Sequence, residues 1–282
     1  MIISLEIFLN RWLFAWRHCK KQMLVGLFVT FGALWSLIDP FVTLGAFTFP
    51  NWSVWVMVAI SAFAAMFYHL PRAKGTIRLK FCNSKITVLF GNLLGERGHK
   101  VISVNEFFDD RLGEHVSPES LHGKLIAEVF ASNSDAFRRA IDEALQNRPH
   151  EVVQRPSGNK QRYPIGTTAA ISVGGIKYFC CAVSKTNVNS LKASATPEEL
   201  NHALKELWSV VREKADGARV NIPLIGGGLA RTGIPAIGLV NTIILAFYLE
   251  SKREQVIPEL LIVIPPEYAK ELDIGSLVKQ WE

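Results

Sequence analysis

Apolar positions run almost unbroken from Met23 to Leu70, where Asp39 is the single charged residue. Two stretches stand out, 23–38 and 52–70, separated by the turn signals Asp39-Pro40 and Phe49-Pro50-Asn51. At about 1.5 Å per residue the second stretch matches a hydrocarbon core of about 30 Å, and the first is somewhat shorter. Helices buried in a soluble core rarely lack charge on every face, so the pattern predicts a two-helix transmembrane hairpin over 23–70. Trp35, Trp52, Trp55 and Tyr68 suit anchoring at the lipid–water boundary. Ahead of the hairpin, residues 1–22 place Leu5, Leu9, Trp12, Leu13 and Trp16 on one helical face, as in an amphipathic segment lying in the interface. Arg11, Arg17, Lys20 and Lys21 precede the first stretch, and Arg72, Lys74, Arg78 and Lys80 follow the second. The connection between them has neither Lys nor Arg. The positive-inside rule then puts both termini on the cytoplasmic face of the cell inner membrane. The second stretch and the twenty-odd residues ahead of the first argue against a cleaved signal peptide.

After a linker at 71–75 the pattern changes to short apolar runs alternating with amphipathic ones. Residues 85–90 and 100–105 read as strands that end in polar loops. Ser117 followed by Pro118 reads as the cap and first residue of a helix, and 134–145 reads as a second helix with Phe137, Ile141 and Leu145 on one face. Residues 168–185 read as two strands turned at Gly174-Gly175. Thr196, Pro197 and Glu199 make a capping box ahead of a long amphipathic helix. A strand at 219–225, an apolar helix from Ile234, a buried strand at 259–265 and a terminal helix from Pro266 complete the chain. Residues 148–164 are the most loop-like. Apolar strands between helices predict a three-layer α/β/α domain over 76–282 with a mixed, mainly parallel sheet.

Composition narrows the function classes. The net charge of +6 is spread along the chain and makes no concentrated basic stripe, which argues against a nucleic-acid partner. Cys19, Cys82, Cys180 and Cys181 form no C-x-x-C pair and no zinc spacing, so no metal is expected from them. Cys180 and Cys181 point to opposite faces if their segment is a strand.

In open α/β sheets ligands bind outside the carboxyl ends of the strands. Four loops qualify by that rule. One holds Gly91, Asn92 and Leu93, the next Asn105 to Asp110, and the third Ser120 to Lys124. The last is Gly226 to Thr232, inside the stretch Ile222–Pro235, where three glycines precede a helix. Glycines there let backbone N–H groups approach an anion, and the helix start adds partial positive charge. The stretch is neither a Walker motif nor a G-x-G-x-x-G fingerprint, and alone it reads equally as a tight strand-to-helix turn. Asp109-Asp110 lacks a nearby His or third acid for a metal, and Asp109 also reads as a turn residue. His122 alone is more often structural.

Taken in order, the four loops resemble those of the macro domain. More narrowly, residues 104–126 together with 222–235, behind an N-terminal helical hairpin, resemble the macro-domain effectors of the Thoeris anti-phage system, in the branch with two transmembrane segments. That resemblance implies binding of an ADP-ribose derivative, with no cofactor, no metal and no catalytic residue. Carried over to this chain, it places Asn92 near the adenine with Leu93 beside it, Asn105 and Asp109 around the distal ribose, and Phe107 or Phe108 as a stacking residue, with core packing the alternative for at least one of them. His122, Gly123 and Lys124 form a wall, and Gly226, Gly227, Gly228, Leu229, Arg231 and Thr232 surround the diphosphate. It further implies a TIR-domain partner that consumes NAD to make the nucleotide, followed by homo-oligomerisation and damage to the lipid bilayer. Two departures bear on activity. Asn92 stands where the family usually has Asp, and the loop around Glu114–Lys124 lacks the glycine pair of hydrolytic members. Both speak against the alternative, a membrane-tethered ADP-ribosyl hydrolase or NAD-processing enzyme.

Overall fold

The computed structural model describes residues 13, 20–43, 50, 52–68, 72–227 and 232–281. The chain divides into two units: a helical one running through Lys74 together with Pro266–Leu277, and an α/β one of Gly75–Pro265 with Val278–Glu282.

In the helical unit, α1 (Lys20–Thr43) packs along α2 (Trp52–Tyr68). Small side chains line the contact: Gly26 on α1 and Ser61 on α2 are buried, as is Met57. Small residues let backbones approach, as in helix pairs within lipid. The outer faces carry Leu24, Val25, Phe28, Val29, Leu37, Trp52, Trp55, Ile60 and Phe63, all exposed. Among the described residues, however, no helix is long and apolar enough to cross a membrane. α1 opens on Lys20-Lys21 and holds Asp39-Pro40 within its last two turns, and α2 has 17 described residues. The transmembrane hairpin expected at 23–38 and 52–70 is thus a helical pair with an apolar exterior. The amphipathic reading of residues 1–22 falls mostly outside the described residues.

The α/β unit is built on β1 (Lys74–Arg78), β2 (Lys85–Phe90), β3 (His99–Asn105), β6 (Thr168–Val173), β7 (Ile176–Thr186), β8 (Ala193–Ser194), β9 (Val220–Pro223) and β10 (Glu259–Ile264). The order across the sheet is β1-β2-β10-β9-β3-β7-β6, with β8 on the end of β7. β2, β10, β9, β3 and β7 run parallel, while β6 and β8 pair antiparallel with β7. A separate two-residue ribbon joins β4 (Glu151–Val152) to β5 (Gln161–Arg162). β1 begins inside the expected linker. Its alternating run was too short and too charged to announce a strand.

Helices cover both faces. On one, α3 (Leu121–Lys124), continued by a wider turn through Val129, and α4 (Ser134–Leu145) pack on a core of Ile102, Val104, Phe137, Ile141 and Cys180. On the other, α5 (Pro197–Lys214) and α6 (Ala236–Arg253) pack together, with Trp208 edge-on to Phe247 at 5.2 Å. Cys181 directs its thiol toward the α5 carbonyl of Ala203, so the two cysteines face opposite layers as the alternation requires. This is the three-layer α/β/α arrangement with a mixed sheet. Two helix boundaries differ from the reading above. Ser120, not Ser117, caps α3, because Ser117–Ser120 closes a turn first and only the Ser120 hydroxyl reaches Gly123 N. The terminal helix is broken: Pro266–Lys270 forms a tight 3-10 turn and α7 (Ile274–Trp281) starts afresh after Asp273.

Candidate functional site

Parallel strands bring their carboxyl ends to one edge, and three of the four expected loops begin there. β9 lies between β10 and β3, so its glycine loop sits centrally. Gly91, after β2, donates to the Ile264 carbonyl at the end of β10, and Glu106, after β3, donates to Ser184 of β7, each at 2.9–3.0 Å.

The glycine loop is built for close approach. Gly226 has φ +92°, a left-handed conformation that only glycine adopts without strain. A Cβ there would meet Leu239 of α6 at 3.0 Å and Leu200 of α5 at 3.2 Å. Thr232 closes the loop by donating its hydroxyl to the Gly226 carbonyl at 3.0 Å. Gly228, Leu229 and Arg231 lie outside the described residues. The loop feeds α6, whose cap position is Pro235; among the described residues no side chain caps its free N–H groups, and its first turn holds no acid. α5 is the opposite case: Thr196 and Glu199 close a full capping box, and Glu198 and Glu199 both lie in its first turn. The α6 amino end therefore keeps uncompensated N–H groups and positive dipole charge beside a glycine loop, the arrangement that receives anions.

The remaining expected residues divide into those near this edge and those taken up by the fold. Asn92 caps the 3-10 turn Leu93–Gly95, its side chain accepting from Leu94 N at 3.2 Å. Leu93 is a core residue. Asn105 is half-buried, and its side-chain oxygen accepts from the N–H groups of Phe107 and Asp109. Phe107 and Asp109 are fully buried, so neither presents a free face in this structure. The Asp109 carboxylate accepts from Arg155 at 3.0–3.1 Å, from Asn105 Nδ2 at 3.0 Å and from Asn159 N at 3.0 Å. In this geometry it holds the loop, as the plain turn reading expects. Lys124 is half-exposed. Gly123 is required by packing, since a Cβ would lie 2.2 Å from the Ser117 carbonyl. His122 is 6% exposed and lies against Phe137, with ring centroids 5.3 Å apart. Burial drives its pKa down to about 4, the Asp109 charge opposing that shift, and its Nε2 has no partner.

Sequence reasoning missed Arg155 and Asn159, which hold Asp109 from a segment read only as loop, and His115, which accepts from Arg155. Their signal is weak, because an isolated Arg in a polar stretch has no periodicity to place it. A separate cleft of about 520 Å³ adjoins Glu106, lined also by His150, Glu151, Arg162, Tyr163 and Lys185. None of the expected ligand residues lines it. Burial raises the Glu106 pKa, opposed by the Thr186 N–H that its carboxylate accepts. Among the described residues, no group of three or more His, Cys, Asp or Glu gathers to hold a metal ion.

The family model described as the macro domain of Thoeris protein ThsA matches residues 86–265. No curated protein sequence matches the chain. Among solved structures, the Oceanobacillus iheyensis macrodomain with ADP is similar at 11% identity, TM-score 0.48, covering 74% of this chain and 95% of that one. The same macrodomain with MES bound gives 10% identity and TM-score 0.47, covering 73% and 99%. A tomato leucine aminopeptidase mutant gives 11% identity and TM-score 0.41, covering 69% of this chain and 34% of that one.

Proposed function

This chain belongs to the Thoeris ThsA macro-domain family, and on that premise we propose that its α/β unit is the receptor for an ADP-ribose-type nucleotide. One observation carries the reading: the uncapped α6 amino end stands directly behind the glycine loop, at the centre of the edge where a diphosphate is best received. Arg231, within that loop, would add a fork of donors to the phosphate oxygens. In a defence setting the nucleotide would be supplied by a TIR-domain partner that consumes NAD. Binding would favour one homo-oligomeric arrangement, and the free energy for that shift must come from tighter binding to the assembled state.

The output side of the proposal is the helical pair. Its exterior exposes Phe28, Leu37, Trp52, Trp55 and Phe63 together, which supports engagement and disruption of the bilayer at the inner membrane. We read the protein as a receptor rather than a catalyst, because a general acid or base must be free to reach the substrate. Asp109 is fully committed to Arg155 and its neighbours, and Glu106 accepts from the Thr186 backbone.

Calorimetry of the full chain in detergent with ADP-ribose, ADP and adenosine tests the site. ADP-ribose and ADP should bind and adenosine should not. Arg231→Ala and Gly227→Val should each weaken ADP-ribose at least tenfold with unchanged circular dichroism. Equal affinity in both variants would place the ligand elsewhere, and steady turnover of NAD would overturn the receptor reading.

A further inference from the structure

The loop that follows β3 is held in shape from outside itself. Phe108 sits at φ +49°, a left-handed conformation that strains a bulky residue. Its carbonyl accepts from Asn159 Nδ2 at 2.8 Å and from Arg138 at 3.2 Å. The next residue, Asp109, receives Arg155 Nη1 on both oxygens, with both side chains essentially inaccessible. The guanidinium also lies 4.3 Å from the centre of the Phe107 ring and gives Nη2 to His115 Nδ1 at 3.1 Å. Arg155 and Asn159 come from the tip of the β4–β5 ribbon, closed where Val153 N donates to the Lys160 carbonyl. The tip crosses so tightly that a Cβ at Gly158, φ +81°, would lie 2.7 Å from the Asp109 carboxylate.

A buried ion pair is a poor source of net stability, because desolvating both charges offsets most of their attraction. Arg155 Nε also has no hydrogen-bond partner among the described residues. What the pair supplies is geometry: a planar fork fixes the carboxylate, and through it the backbone of 105–110. That backbone follows β3 as the glycine loop follows β9, and the two strands are neighbours in the sheet with their carboxyl ends on one edge. We infer that Arg155 is a positioning residue for nucleotide binding, the ribbon tip acting as a strap that sets, through Asp109, the backbone of the loop after β3 at the carboxyl edge of the sheet. This rests on the receptor reading above.

The test is the full chain carrying Arg155→Met with Asp109→Asn, which removes both charges together. Melting temperature, ADP-ribose affinity and amide hydrogen exchange are measured side by side. Arg212→Met, which breaks the Arg212–Glu250 pair between α5 and α6, serves as the stability control. The expected result is a double variant that melts within a few degrees of wild type, binds ADP-ribose at least tenfold more weakly, and exchanges Phe107 and Asp109 amides faster. Arg212→Met should lower the melting temperature and leave affinity unchanged. Arg155→Lys should restore affinity only in part, lacking the fork. Wild-type affinity in the folded double variant overturns the inference while leaving the receptor reading intact. A wild-type chain that takes up no ADP-ribose overturns both.

Discussion

His122 shows how a single side chain ties stability to pH. Its imidazole is buried and kept neutral, protonating only at about 4 in the fold against 6.5 in the unfolded chain. Between those values the unfolded state binds a proton that the folded state refuses. Stability is therefore fully present above pH 6.5 and is lost as pH falls toward 4, by about 3 kcal/mol at most. Glu106 and Asp110, whose pKa values burial raises, contribute with the opposite sign in acid. Comparing wild type with His122→Gln between pH 7 and 4.5 isolates the histidine: the variant should lose clearly less melting temperature over that range. An identical loss in both proteins would remove His122 from the account. At this scale the sequence was a mixed guide. The strand-to-helix turn at Gly226 and Thr232 was legible, because a glycine run between an apolar strand and a helix marks one. Asp109 was not, because its partner Arg155 lies 46 positions away in a stretch without pattern.

Whole elements were easier to read than their edges. The capping box of α5 and the parallel core strands follow from local chemistry and apolar runs, and both formed where expected. The α3 start shifted because two serines three residues apart compete for one cap, and tertiary packing at Gly123 decides between them. The contrast between capped α5 and uncapped α6 makes a prediction of its own. Pro235→Asp would give α6 a side-chain cap and an acid at its positive end. Stability should rise by about 1 kcal/mol while ADP-ribose affinity falls several-fold through repulsion of the phosphates. Denaturant melts and calorimetry check the two together, and a variant that gains stability with undiminished affinity would separate the ligand from the α6 terminus.

For the whole molecule, hydrophobicity marked 23–70 as distinct, and the structure places there the helical pair α1 and α2 with its apolar exterior. The exposed apolar exterior should make the full chain float with phosphatidylethanolamine–phosphatidylglycerol vesicles in a density gradient. Phe28→Asp with Trp55→Asp should return most of it to the soluble fraction at unchanged secondary structure. Flotation equal to wild type would show that lipid does not contact that face.

The helical unit draws its last piece from Pro266–Leu277, where Gly275 comes within reach of the Arg72 side chain. A ribosome adding roughly 5–20 residues per second needs on the order of ten to forty seconds to travel from Lys74 to that segment. Throughout that interval the greasy helices are already made while the piece that completes their unit does not yet exist. The order of synthesis thus leaves a window in which insertion machinery, a chaperone or another nascent copy can reach them before the chain closes its own unit.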